Sequence, residues 1–119
     1  MNDCVFCKII AKTLPASLIY EDEDFISILD THPLTPLHLL VIPRRHISSL
    51  NELEDKDEAF AGRLLLTSRK IALSALGMDG GYRLVINTGA HGGQTVFHLH
   101  LHIMAGKPVS TDLLTKGLQ

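Results

Sequence analysis

His98-Leu99-His100-Leu101-His102-Ile103-Met104 decides how this chain is read. Histidines alternate with apolar residues at a period of two, the period of a β-strand, whose successive side chains point to opposite faces. The alternation predicts a strand over 97–104, with the three imidazoles on one face and Leu99, Leu101 and Ile103 on the other. Neighbouring histidines would stand roughly 6.6–7 Å apart along such a strand. Imidazole titrates near neutral pH, binds metals and can attack phosphorus. Three in strict alternation mark a candidate site, against the blander reading of unrelated surface histidines on a half-exposed strand.

The run Asn87-Thr88-Gly89-Ala90-His91-Gly92-Gly93-Gln94-Thr95-Val96 leads directly into that strand. Glycines let backbone N–H groups turn toward a ligand, and successive N–H groups make an anion-binding concavity. Asn87, Gln94 and Thr95 can add side-chain donors. On its own Gly-Gly between strands is usually a turn; just ahead of an imidazole cluster it reads as a phosphate cradle. An imidazole facing the cradle can attack phosphorus, giving a phospho- or nucleotidyl-histidine that water then cleaves. The attacking nitrogen must be neutral, so the other ring nitrogen should donate its proton to an orienting acceptor. Flanking histidines would stabilise the charge on the phosphate oxygens.

Cys4-Val5-Phe6-Cys7 is a second constellation. Two thiols at this spacing can hold one Zn²⁺, but a tetrahedral site needs two more ligands. Histidine can supply them, and the chain has seven. The alternatives are a pair of free cysteines, one of them packed in the core, or a redox pair, which sits too near the N-terminus to follow a strand. His38 is the lone polar group in Leu37-His38-Leu39-Leu40-Val41-Ile42. It reads as a satisfied core histidine or as a fourth member of the imidazole face. Asp30 precedes a loop bounded by Pro33 and Pro36. It reads as a turn or cap residue, or as a carboxylate accepting from a ribose diol.

The whole chain, 1–119, is expected to form one domain, with the triad strand at 97–104 and a C-terminal tail at 106–119. A formal net charge of −2 gives no broad footprint for a nucleic-acid polymer. No apolar run approaches the roughly 20 residues of a membrane span. The first residues lack a basic region followed by an apolar one, so no signal peptide is expected. The expected location is the cytoplasm, where thiols stay reduced. Val5 to Lys12 reads as a short helix, and Ser17–Glu21, Phe25–Leu29, Leu37–Ile42 and Arg83–Asn87 read as strands. Asn51 to Leu76 reads as one long helix with a core-facing stripe of Phe60, Leu64, Thr67, Ile71 and Ala75, stopped by Gly77. Short loops between strands and a single long helical insertion argue for α+β with a mainly antiparallel sheet.

Together these residues resemble the histidine triad (HIT) superfamily, in particular its branch of histidine triad nucleotide-binding proteins (Hint). The resemblance runs from Cys4 to about Gly106. It rests on the triad, on Leu37-His38-Leu39-Leu40-Val41-Ile42-Pro43 and on Gly92-Gly93-Gln94-Thr95-Val96. It implies a five-stranded antiparallel sheet with one long and one short helix, and a homodimer whose two sheets join into one. At the site it implies His100 as the nucleophile, oriented by the backbone carbonyl of His98, with His102 and His38 at the α-phosphate. Thr95 would touch phosphate and assist the leaving group. Asn87, Gln94 and the N–H groups of Gly93 and Val96 would line the phosphate site, and Asp30 would hold the ribose. Phe6, Leu18 and Leu29 would sandwich the base. Members with an N-terminal Cys-x-x-Cys look like zinc proteins, which implies Cys4, Cys7, His46 and His98 as ligands of a structural Zn²⁺, with no organic cofactor. Thr31, Thr88 and a tail without tryptophan depart from the pattern and bear on base, ribose and leaving-group preference.

The resemblance implies a hydrolase of nucleoside 5′-phosphoramidates, purines favoured, through a nucleotidyl-histidine. A second reading keeps the nucleophile and changes the leaving group: a dinucleoside polyphosphate hydrolase or nucleotidyltransferase. A third is a non-catalytic, zinc-stabilised module that binds nucleotide or a protein partner.

Overall fold

Leu37–Pro43 (β3) is apolar at almost every position because it lies in the middle of a sheet covered on both faces. A computed structural model describes residues 3–78 and 80–106. The chain runs through α1 (Val5–Ile10), β1 (Leu18–Glu21), β2 (Phe25–Leu29), β3, α2 (Glu58–Leu76), β4 (Tyr82–Val85) and β5 (Leu101–Ala105). The five strands lie in the order β1-β2-β3-β5-β4, each pair antiparallel. The α+β architecture read from the sequence is the one observed. The tail beyond Gly106 lies outside the described residues.

Period-two alternation sorts the strands between two apolar layers. Phe25, Leu39, Val41, Leu101 and Ile103 face α2 and meet Phe60, Leu64, Ile71 and Ala72. Ile26, Ile28, Leu40 and Ile42 point to the opposite face and pack with Phe6 of α1. Leu40 pairs with His102, and directly opposed residues share a face, so the histidines lie on the α1 side. The β1–β2 turn is tied down by Asp22, whose Oδ1 accepts from the N–H groups of Asp24 and Phe25. Arg44 donates to the Asp22 carbonyl and to Glu21, closing that turn over the end of β3.

The triad strand is shorter than its alternation predicts: β5 begins at Leu101, not at residue 97. Pro43 is the physical cause. The His38 carbonyl accepts from Asp30 and the Arg44 N–H donates to Asp24, so even-numbered positions around β3 address β2. Odd-numbered positions, Pro43 among them, therefore address β5. Leu101 pairs with Val41, so Leu99 would pair with Pro43, which has no N–H to give. Leu99 instead donates to the Ile47 carbonyl at 2.6 Å. The face alternation persists without the ladder: Leu99 still packs in the α2 layer, and His98 and His100 still touch Phe6.

The long helix also starts later than expected, at Glu58 rather than Asn51. Two 3₁₀ turns, Leu50–Glu52 and Asp55–Asp57, fill the interval. Side chains there offer the backbone local alternatives to the helix. Ser49 Oγ accepts from the Asn51 N–H at 3.2 Å and Asp57 Oδ2 from the Glu54 N–H at 2.9 Å. The buried stripe is Phe60, Leu64, Ser68, Ile71 and Ala72; Ala75 is exposed and Thr67 only half-buried. Ser68 is accepted in the core because its Oγ donates to the Leu64 carbonyl at 2.8 Å. Gly77 ends the helix as expected, at φ 79°, with its N–H on the Leu73 carbonyl.

The shifted stripe separates two alanines. Ala72→Leu forces extra volume into a closed core and is expected to cost about 1–3 kcal/mol. Ala75→Leu is expected to stay within about 0.5 kcal/mol of the parent. Urea unfolding of both variants measures the difference, and equal losses would refute this placement of the helix.

Candidate active site and metal centre

Four buried histidines and one buried aspartate converge on the α1 face of the sheet: His38, His98, His100, His102 and Asp30. Which ring nitrogen of each carries its proton follows from the partner on the other nitrogen. A carbonyl can only accept, so His100 Nδ1, 2.7 Å from the His98 carbonyl, carries the proton. The lone pair of neutral His100 is then on Nε2. A backbone N–H can only donate, so His38 Nδ1, 3.1 Å from the Leu34 nitrogen, holds the lone pair. The proton of neutral His38 sits on Nε2, which is 2.9 Å from His102 Nδ1. His102 Nδ1 accepts it, and His102 presents a proton on its own Nε2. The His100 and His102 rings stand 5.2 Å apart, one offering a lone pair and the other a donor.

Burial pushes the His38 pKa down, and the nearby Asp30 carboxylate partly opposes it. Asp30 Oδ2 lies 3.4 Å from His38 Nε2, while Oδ1 accepts from the His32 N–H at 2.8 Å. Asp30, His38 and His102 have the residue types of a metal site. The Leu34 N–H argues against that use, because it keeps the proton on the His38 nitrogen that faces the other two groups.

The second cluster has the opposite character. Cys4 Sγ lies 3.3 Å and Cys7 Sγ 3.5 Å from His98 Nδ1. His46 Nδ1 is 3.3 Å from Cys7 Sγ and 3.1 Å from His98 Nδ1. The four ligand atoms lie within 4.8 Å of one another and can hold one metal ion. His98 Nε2 is 2.8 Å from the Pro43 carbonyl and so bears the proton, which leaves Nδ1 with the lone pair a metal needs. Burial lowers the His98 pKa, the bond to Pro43 opposes this, and His46 and His100 lower it further. Neutral imidazole is the ligand form. Cys4 and Cys7 bracket the first turn of α1, with Cys4 as its N-cap, so one short helix delivers both thiols.

The loop before the triad is held by Gln94. Its Oε1 accepts from the Gly89 N–H at 2.8 Å, and its Nε2 donates to the carbonyls of Ser48 at 2.7 Å and Val96 at 3.0 Å. Both amide protons are thus spent on backbone carbonyls, one in the loop and one in the segment after β3. Gly93 is left-handed, at φ 92°. Gly93 and Thr95 are exposed, and Val96 packs against the Phe6 layer. Asn87 lies two residues beyond the Val85–His102 pair, which directs it toward His100 on the histidine face. Asn87 Nδ2 is buried and has no hydrogen-bond partner among the described residues. The backbone groups that choose the tautomers, Leu34 N–H and the Pro43 carbonyl, carry no residue signature and could not be read from sequence. Phe6 could: it sits between the two cysteines, and its ring packs roughly perpendicular to those of both His98 and His100.

The depressed His38 pKa has a consequence for stability. Below the ordinary histidine value of about 6.5, the unfolded chain binds a proton that the folded His38 refuses. Stability is therefore expected to fall as pH drops from 6.5 toward the folded value, with Asp30 and His102 as the ionisable neighbours. Urea midpoints at several pH values should fall less steeply in His38→Gln than in the parent chain; parallel curves would refute the assignment.

The HIT domain family model matches residues 11–109. Protein HitA of Neisseria gonorrhoeae is 46% identical over 109 residues, spanning 92% of this chain and 100% of that one. An uncharacterised HIT-like protein of Synechocystis is 44% identical over 109 residues, spanning 92% and 95%. Among solved structures, a HIT family hydrolase of Legionella pneumophila superposes with a TM-score of 0.87 at 37% identity, covering 91% of this chain and 96% of that chain. A histidine triad protein of Clostridium difficile gives 0.85 at 37% identity, covering 92% and 96%. With its three alternating histidines on one face beside a buried fourth, this chain belongs to the HIT family, and its neighbours there support a hydrolase-type enzyme.

Proposed function

We propose that this protein hydrolyses nucleoside 5′-phosphoramidates, purines favoured, through a nucleotidyl-histidine on His100, as in the Hint branch of the family. The observation that carries the reading is the 2.7 Å bond from His100 Nδ1 to the His98 carbonyl, which puts the lone pair of the neutral ring on Nε2, the nitrogen that attacks. His100 Nε2 bonds to the α-phosphorus as the P–N bond of the phosphoramidate breaks, and the amine leaves with a proton taken from solvent, which the later attack of water gives back. Water then attacks phosphorus, releases nucleoside monophosphate and returns His100. His102, presenting Nε2–H, donates to a phosphate oxygen as charge builds there. His38 holds His102 in that tautomer. Thr95 contacts phosphate and assists the departing amine.

Asn87 supplies a donor to the phosphate, and its unpartnered buried Nδ2 supports this. The Gly93 and Val96 N–H groups line the same cradle, which Gln94 keeps in shape. Asp30 holds the ribose hydroxyls. His100→Ala is expected to lower turnover of adenosine 5′-phosphoramidate by more than about a thousandfold, the scale of losing a nucleophile. Rapid-quench intact-mass measurement should find one adenylyl group on the parent chain and none on the variant. A parent that consumes a dinucleoside polyphosphate but not the phosphoramidate would shift the assignment to the polyphosphate reaction. A parent that consumes neither would leave a nucleotide-binding module.

The ion we assign to the second cluster is Zn²⁺. Zn–S bonds of about 2.3 Å and Zn–N bonds of about 2.0–2.1 Å put tetrahedral S···N edges near 3.5 Å and N···N edges near 3.4 Å. The observed edges of 3.3, 3.5, 3.3 and 3.1 Å support that geometry. With all four positions filled by protein, the ion is structural. Native mass spectrometry should find one zinc per chain, and Cys4→Ser should lose it at chelator concentrations the parent withstands.

The same spectrum tests a homodimer in which β4 pairs with its copy and the two sheets become one. β4 is an edge strand in regular register, whereas the other edge, β1, has a register shift between Leu18 and Tyr20 of the kind that blunts edges. The whole chain acts as one domain in this reading. Among the described residues no helix is long and apolar enough to cross a membrane.

A further inference from the structure

His98 stands in both clusters at once. Its Nδ1 belongs to the four-ligand centre, its Nε2–H is fixed on the Pro43 carbonyl, and its own carbonyl accepts the His100 proton. Phe6 makes a second link. It lies on α1 between the two cysteines, and its ring stands roughly perpendicular to His98 at 5.9 Å and to His100 at 5.0 Å between centroids. α1 has six residues and Phe6 is its one buried side chain. A helix this short has no stability of its own in water. Its seat on the sheet rests on Phe6, on the half-buried Ile9 and Ile10 that pack against the same layer, and on the two thiols that reach His46 and His98. His98 and His100 lie outside the β3–β5 ladder, and among the described residues the backbone between them is held by the Leu99 N–H on the Ile47 carbonyl rather than by strand pairing.

We propose that metal binding at Cys4, Cys7, His46 and His98 positions the His100 nucleophile, by fixing both the His98 carbonyl that accepts from its ring and the Phe6 ring that packs against it. Zn²⁺ supplies the cross-link between α1 and the sheet; it takes no part in the bond changes at phosphorus. Cys4, Cys7, His46 and Phe6 are positioning residues in this account, which rests on the reading of His100 as nucleophile. Emptying the centre loosens α1 and the 98–100 backbone together and releases the His100 tautomer, while the sheet and α2 stay in place. The effect falls on the transfer step more than on nucleotide affinity, which loses only what Phe6 contributes at the base.

The test compares four full-length proteins: zinc-loaded parent, chelator-stripped parent, His46→Ala, and His46→Cys, which keeps a Cys3His set able to bind zinc. Zinc content is read by native mass spectrometry. Three measurements follow: the single-turnover rate of adenylyl addition at saturating adenosine 5′-phosphoramidate, the affinity for AMP, and hydrogen exchange of the His100 ring N–H and backbone amides by NMR. In the stripped and His46→Ala proteins, addition is expected to slow by about 10–100-fold, the range for losing an outer-sphere support, and AMP affinity to fall by a smaller factor than that. Exchange should accelerate at the His100 ring and over residues 5–10 and 98–100, with β3 and α2 still protected. His46→Cys loaded with zinc should restore all three.

Equal addition rates and equal His100 exchange with and without zinc would overturn the proposal, and so would a parent that takes up no zinc. Loss of protection across β3 and α2 together would overturn it differently, by making the ion a support of the whole fold. If the zinc-loaded parent shows neither adenylyl addition nor turnover, the nucleotidyl-histidine reading fails. The His100 ring exchange then decides the positioning role alone.

Discussion

Pro43 has no amide proton, and much of the site follows from that. The β3–β5 ladder stops where Leu99 would have to receive a hydrogen bond from it. The segment ahead of β5 stays extended but unpaired, and its polar groups find other partners. Leu99 donates to Ile47, the freed Pro43 carbonyl takes the His98 ring, and the His98 carbonyl takes the His100 ring. A residue that merely ends a strand on reading the sequence thus creates the acceptors that orient two histidines.

The three alternating histidines are chemically distinct even though the sequence presents them as equivalents. His98 spends its proton on Pro43 and turns a lone pair toward thiols. His100 spends its proton on His98 and keeps a lone pair at the far nitrogen. His102 accepts from His38 and keeps a proton there. Alternation on one face puts the rings side by side; the hydrogen bond on the rear nitrogen of each decides whether it turns a lone pair or a proton to its surroundings. Burial reinforces this for His38 and His98 by disfavouring the charged form that would erase the distinction.

The two cysteines illustrate how far spacing reaches. Cys-x-x-Cys promised half a tetrahedral site, and seven histidines were candidates for the rest. The resemblance pointed to His46 and His98, and these are the two whose Nδ1 atoms meet the thiols. His46 arrives because the chain turns after Pro43, and His98 because β5 lies beside β3. Gln94 is the counterexample: from sequence it is a donor in a glycine loop, whereas in the fold its protons are consumed by the Ser48 and Val96 carbonyls.

The sequence by itself determined the fold class, the apolar middle strand, the glycine stop of the long helix and the face shared by the histidines. These are local properties, set by side-chain periodicity and backbone sterics. The start of β5 at Leu101, the start of α2 at Glu58 and the choice of Ser68 and Ala72 over Thr67 and Ala75 as core positions were decided by the tertiary structure. So were the tautomers and the meeting of Cys4 and Cys7 with His46 and His98. Each depends on a partner dozens of residues away, or on a backbone group such as the Leu34 N–H or the Pro43 carbonyl that every sequence contains and no motif records.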